Sequence, residues 1–167
     1  MARVPVEGEQ RAFRLVRAGL YREAESVIGQ DRSTQGYRET ARGELALRRG
    51  HISEAVTELE RGLALASAHT LSERYLGAES LAGALERLNR NEDAVKVLEA
   101  AAQAEPRYTY TGPSGAFWLR VLGRLSRTYR DHGRSADADA VEARLRNLLI
   151  LADPDHPLVV QLQRRGK

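Results

Sequence analysis

Twelve positions of this 167-residue chain fall into one register, and that register constrains its fold more than any other feature. Ala24, Ala55, Ala94 and Ala138 head the four sets. Five residues before each stand Gly19, Gly50, Asn89 and Gly133, residue types that tolerate left-handed backbone. Twelve residues before each stand Ala12, Gly43, Ala82 and Ser126, all small. A bulky residue late in one helix, as Tyr129 stands four before Gly133, a glycine at the turn and a small residue early in the next helix let two helices cross closely. A side chain larger than alanine at that crossing would wedge the pair apart. The chain therefore reads as an internal repeat of helix–turn–helix units, an all-α architecture.

The pattern is clearest from Trp118 to Pro157. Leu119, Leu122, Leu125, Ser126 and Tyr129 share one helical face, and Val141, Leu145, Leu148 and Leu149 share another. His132-Gly133-Arg134 makes the turn between them, and Asp153-Pro154 and His156-Pro157 end the second helix. Upstream, the same grammar pairs Arg11–Ala18 with Tyr21–Ile28, 36–49 with 53–66, and 71–88 with 92–104. The buried stripes are expected at Val56, Leu59 and Leu63 and at Ala94, Val95, Leu98 and Ala101.

These residues resemble the tetratricopeptide repeat (TPR), whose small residue, turn glycine and alanine stand at the same separations. The final unit, YRDHGR followed by Ala138 and closing in ADPDHP, resembles the long repeats of kinesin light chains and their bacterial relatives. The key alanines are 31, 39 and 44 residues apart, so the units are unequal, and Gly36 stands where the first would close on proline. The resemblance implies one TPR-like array over 1–167, coiled as a right-handed superhelix. Its units are expected at about 7–30, 36–67, 71–105 and 114–152, with a short C-terminal capping helix at 156–165. A polar-backed terminal helix is the usual cover for the open end of such an array.

Composition narrows the function classes. Without cysteine there is neither a disulfide framework nor a thiolate metal site. The start, MARVPVEGEQRAF, lacks the apolar run of a secretion signal, and no stretch approaches a membrane span, so a cytoplasmic protein is expected. Basic residues are arginine except Lys96 and Lys167, a bias that a GC-rich bacterial genome explains as well as function does.

Catalytic and cofactor readings fail on spacing. His51, His69, His132 and His156 are scattered, with no pair three or four apart beside a carboxylate. Ser33, Ser53, Ser67 and Ser135 lack a strand–turn–helix context, and the glycines form no phosphate loop. Asp137 and Asp139 in ADADA read as favourable charge in the first turn of a helix. The expectation is a protein that is not an enzyme and holds no cofactor or metal.

One feature points to a partner. Arg120, Arg124, Arg127, Arg130 and Arg134 recur every three or four residues along one helix. In the resembled family the first helix of each unit lines the concave groove. Counting back from Ala138 and Ala94, groove positions fall on Arg120, Arg124 and Arg127, with Arg87 expected to approach them. Charge follows suit, with a net −2 over 1–106 and +5 over 107–167. The expected function is a protein–protein interaction scaffold that binds a peptide or protein segment, an acidic one, through guanidinium forks. The lysine and asparagine carboxylate clamp of some relatives is not carried over, since Glu9, Glu44 and Gly83 hold the corresponding positions. The bland alternative for the stripe is a solvated face. The alternative partner is nucleic acid, with Tyr108, Tyr110, Phe117 and Trp118 near the basic half. A third possibility is a homo-oligomer formed through the C-terminal segment.

Overall fold

The computed structural model describes residues 11–30, 36–66, 71–106 and 114–164. Residues 7–10, Ser67 and Arg165 of the expected units lie outside that set, as do Ser33, His69, Tyr108 and Tyr110. The described residues form nine α-helices and no strand: α1 (Arg11–Arg17), α2 (Tyr21–Gln30), α3 (Tyr37–Arg48), α4 (Ile52–Leu65), α5 (Leu71–Arg87), α6 (Asn91–Gln103), α7 (Ser114–Asp131), α8 (Ser135–Leu148) and α9 (Pro157–Arg164). They group into two compact units divided between Val97 and Leu98, inside α6.

The four turns are built alike. Gly19, Gly50, Asn89 and Gly133 have φ of 78°, 82°, 57° and 72°, and Asn89 is the only non-glycine among the described residues with positive φ. At each turn the next amide reaches five residues back: Leu20 to the Leu15 carbonyl, His51 to Ala46, Arg90 to Leu85 and Arg134 to Tyr129, at 2.8–3.0 Å. The turn residue's own amide reaches three back, as Gly133 does to Arg130 at 3.0 Å. This double bond satisfies carbonyls that a helix end would otherwise leave open, and it requires left-handed backbone at the turn residue. The register thus selects glycine or asparagine there for a local backbone reason.

The small positions are just as uniform. Ala24, Ala55, Ala94 and Ala138 are each 0% exposed, and Ala12, Gly43, Ala82 and Ser126 are buried. At Gly43 a Cβ would stand 2.5 Å from Leu59 Cγ, so α3 and α4 touch with no room for a side chain. Both helices therefore bury their apolar faces at close range.

In the first unit α3 packs on α4 and α5, and α1 on α2 and α3. Val16, Leu59, Tyr75 and Leu85 lie at its centre. Its core also holds a carboxylate, Glu44, which is 1% exposed. Glu44 accepts hydrogen bonds from Arg17 (3.2 Å), Arg48 (3.1 Å) and the Ser80 hydroxyl (2.5 Å). Three donors on α1, α3 and α5 offset the cost of taking that charge out of water.

The second unit is centred on α7 and α8, with Trp118, Leu122, Leu125 and Leu145 buried. Trp118 donates its indole N–H to the Ala102 carbonyl at 2.9 Å and lies under Arg144, whose guanidinium is 4.8 Å from the ring centroid. Arg144 also bonds Glu105 at 2.8 Å, which ties α8 to the end of α6. Leu162 of α9 is buried. Leu158 lies over Gly123 of α7, where a Cβ would stand 2.7 Å from its Cδ2. The expected stripe on α8 needs one correction. Leu149 is buried but Leu148 is 46% exposed, because the helix ends at Leu148 and the chain turns away from the α7 contact.

Candidate partner-binding face

The turn at Gly133 fixes how α7 is rotated. Trp118, Val121, Leu122, Leu125, Ser126 and Tyr129 are spent on the core. Arg120 and Arg127 are exposed and Arg124 is half-buried, so the three arginines lie outside the buried stripe. Arg120 also lies over the Phe117 ring at 5.8 Å. Gly123 sits between these arginines in the helix, and Leu158 of α9 reaches this part of α7.

The five arginines do not form one row along one helix, because α7 ends at Asp131 and the Gly133 turn places Arg134 at the N-cap of α8. Arg130 donates to Asp139 and, at 3.2 Å, to the buried carboxylate of Glu142. Those bonds hold its pKa above the ordinary arginine value. Arg134 donates to Asp137 (2.7 Å) and Glu99 (3.3 Å) and stacks over Tyr129, 4.3 Å from the ring centroid. Its pKa is raised first by the Asp137 hydrogen bond. Arg130 thus ties α8 to α7, and Arg134 ties the start of α8 to Glu99 of α6. Arg87 belongs to the first unit, is exposed, and donates to the Leu47 carbonyl at 3.3 Å.

The other candidate groups have structural partners. His132 Nδ1 is 2.6 Å from the Thr128 carbonyl, and His51 Nδ1 is 3.4 Å from Glu54. His156 Nδ1 accepts the Leu158 amide at 3.3 Å at the start of α9. Asp137 is held by Arg134 and Asp139 by Arg130. Among the described residues no three histidine, aspartate or glutamate side chains stand where they could hold a metal ion, and no helix is long and apolar enough to cross a membrane.

Sequence reasoning overlooked Glu142. It is 1% exposed and accepts from Ser126 (3.1 Å), Arg130 (3.2 Å) and Arg146 (3.5 Å). Its signal was available: Ser126 is the one hydroxyl among the four small residues of the register. Helical spacing alone did not show that a carboxylate would face it.

Comparison with solved structures supplies an independent view of the fold. The chain is similar to the crystal structure of a Podosopora anserina putative kinesin light chain with nearly identical TPR-like repeats. The TM-score is 0.62 at 21% identity, over 93% of this chain and 80% of that one. A point variant of that protein gives a TM-score of 0.63 with the same identity and coverage. No family model matches the chain, and no curated protein matches it. Residue register, turn geometry and this structural likeness agree on one fold, an all-α helical repeat of the TPR-like kind.

Proposed function

We propose that this protein is a non-catalytic scaffold that binds an acidic segment of a partner protein along the arginine face of α7. The observation that carries the reading is that three arginines of α7 stand on the face turned away from its buried stripe. Arg120 and Arg127 are exposed and Arg124 is half-buried, whereas the apolar residues of α7 from Trp118 to Tyr129 are committed to the core. A repeat fold built from open helix faces offers extended surfaces rather than an enclosed pocket, which suits a peptide better than a small substrate. Guanidinium groups bind carboxylates through paired, charge-assisted hydrogen bonds. Among the described residues of this unit the Trp118 indole and the Tyr129 ring are buried and so offer no stacking platform, which favours protein over nucleic acid.

The test is capture of partners from native cell extract by the wild-type chain and by the Arg124→Glu, Arg127→Glu double variant. The variant is expected to keep its helical circular dichroism and lose the captured protein. Capture unchanged in the variant overturns the reading. Capture of nucleic acid, with affinity that falls steeply against log salt, overturns it in favour of a phosphate ligand.

A further inference from the structure

Apolar surface is left over at the corner between α8 and α9. Past Leu148 the chain closes a turn, with the Ala152 amide bonded to the Leu149 carbonyl at 2.9 Å. Ile150 and Leu151 hold its two central positions, 78% and 95% exposed. Such positions ordinarily carry glycine, asparagine, aspartate, proline or serine, for reasons of backbone conformation and hydration. A second turn follows, with the His156 amide bonded to the Asp153 carbonyl at 2.9 Å. Hydrogen-bonded turns therefore hold Ile150 and Leu151 out as a fixed apolar knob.

Beside the knob a groove of about 370 Å³ opens between α8 and α9. Leu149, Val159 and Leu162 form its walls, with Arg146 and Gln163 at the rim. Ile150 and Leu151 are exposed, so they do not fill the groove of their own chain. A fitting occupant has aliphatic side chains for the walls and negative charge for Arg146, which is 52% exposed and reaches Glu142 of its own chain only at 3.5 Å. The chain's own corner has that order: Ile150 and Leu151, then the exposed Asp153 and Asp155. Knob and groove are adjacent on one surface and complementary in polarity and charge. A two-fold axis satisfies both at once, because each copy then supplies the knob that the other's groove receives.

We infer that this corner is a self-association surface, through which two copies of the chain exchange Ile150 and Leu151 into the grooves between α8 and α9. The inference is independent of the partner proposed for the arginine face. Exposed aliphatic residues rimmed by charge are the usual mark of such a surface.

Sedimentation equilibrium on the full chain, from micromolar to several hundred micromolar, tests it. The wild type is expected to dimerise. The Ile150→Glu, Leu151→Glu double variant should associate about 100-fold more weakly, in line with the loss of a central apolar anchor. Gln163→Trp, at the exposed rim, should fill the groove and weaken association about tenfold or more with the knob intact. Both variants alter exposed positions and should keep wild-type circular dichroism. A wild type that stays monomeric throughout overturns the inference, even where it captures another protein through Ile150 and Leu151. A dimer that survives the double variant, or one lost with the knob variant but retained in Gln163→Trp, overturns it as well.

Discussion

The Ser126 hydroxyl of α7 donates to the Glu142 carboxylate of α8 across 3.1 Å, at a crossing where the other units carry only alanine or glycine. Ser126 keeps the small size that the crossing demands and adds a donor for the buried carboxylate there. Glu142 also draws on Arg130 and Arg146, whose side chains are 32% and 52% exposed. The serine is a fully buried partner of Glu142, 0% exposed, and it ties size selection to charge satisfaction. Ser126→Ala is expected to lower stability by about 1–2 kcal/mol, the range for leaving a buried acceptor short of a donor. Urea denaturation followed by circular dichroism measures it, and an unchanged midpoint would show that the arginines alone satisfy Glu142.

The alanines of the register support a second expectation. Ala138 and Ala94 are 0% exposed at helix crossings, with no volume to spare. Ala138→Leu and Ala94→Leu should each cost about 1–3 kcal/mol through overpacking. Thermal unfolding of both variants checks it. Wild-type midpoints in both would mean that the helices separate without penalty.

A third expectation concerns Gly36, which precedes α3 with φ of 84°. A Cβ at Gly36 would stand 2.3 Å from the carbonyl oxygen of Gly62 in α4. That neighbour is backbone and cannot swing aside, and left-handed φ adds strain of its own. Gly36→Ala should therefore destabilise the first unit by more than about 1 kcal/mol. Gly50→Ala is the comparison, since it shares the left-handed backbone but meets nothing within 4 Å. Equal losses in the two variants would remove the backbone contact from the explanation.

Tyr129 sets a pH dependence. Its hydroxyl donates to Glu99 at 2.6 Å, and burial, then that bond, pushes its pKa up to about 12. The unfolded phenol loses its proton near 10, so between about pH 10 and 12 the unfolded state binds fewer protons than the folded one. The contribution is fully present below pH 10 and is lost as pH rises through about 12. Denaturant midpoints should fall more steeply over that window in the wild type than in Tyr129→Phe. Parallel slopes would show that other groups govern the alkaline limit.

Much of this architecture is local, and for that reason it was legible in the residues. Left-handed backbone at Gly19, Gly50, Asn89 and Gly133 is a property of a few consecutive peptide units, and residue type reports it directly. Size at Ala24, Ala55, Ala94 and Ala138 is likewise written in the side chain, and fixed spacing from the turn assigns it to a crossing.

Tertiary structure decided what each charge does. Periodicity predicted five arginines along one helix, yet the turn at Gly133 puts Arg134 at the start of α8, and spacing could not say that Arg130 would meet Asp139 and Glu142 or that Arg134 would meet Glu99. Asp139 and Glu142 lie on α8 and Glu99 on α6, and helix packing brings these carboxylates to the guanidinium groups. The same holds for Glu44, whose donors Arg17 and Ser80 stand 27 and 36 residues away. At the α8–α9 corner, the run Leu148 to Leu151 reads as a continuation of an apolar helix face. Only the chain reversal after Leu148 separates the buried Leu149 from the exposed Ile150 and Leu151. Side-chain size and backbone conformation are properties of single residues. Burial and ion pairing are properties of neighbours, and the fold chooses the neighbours.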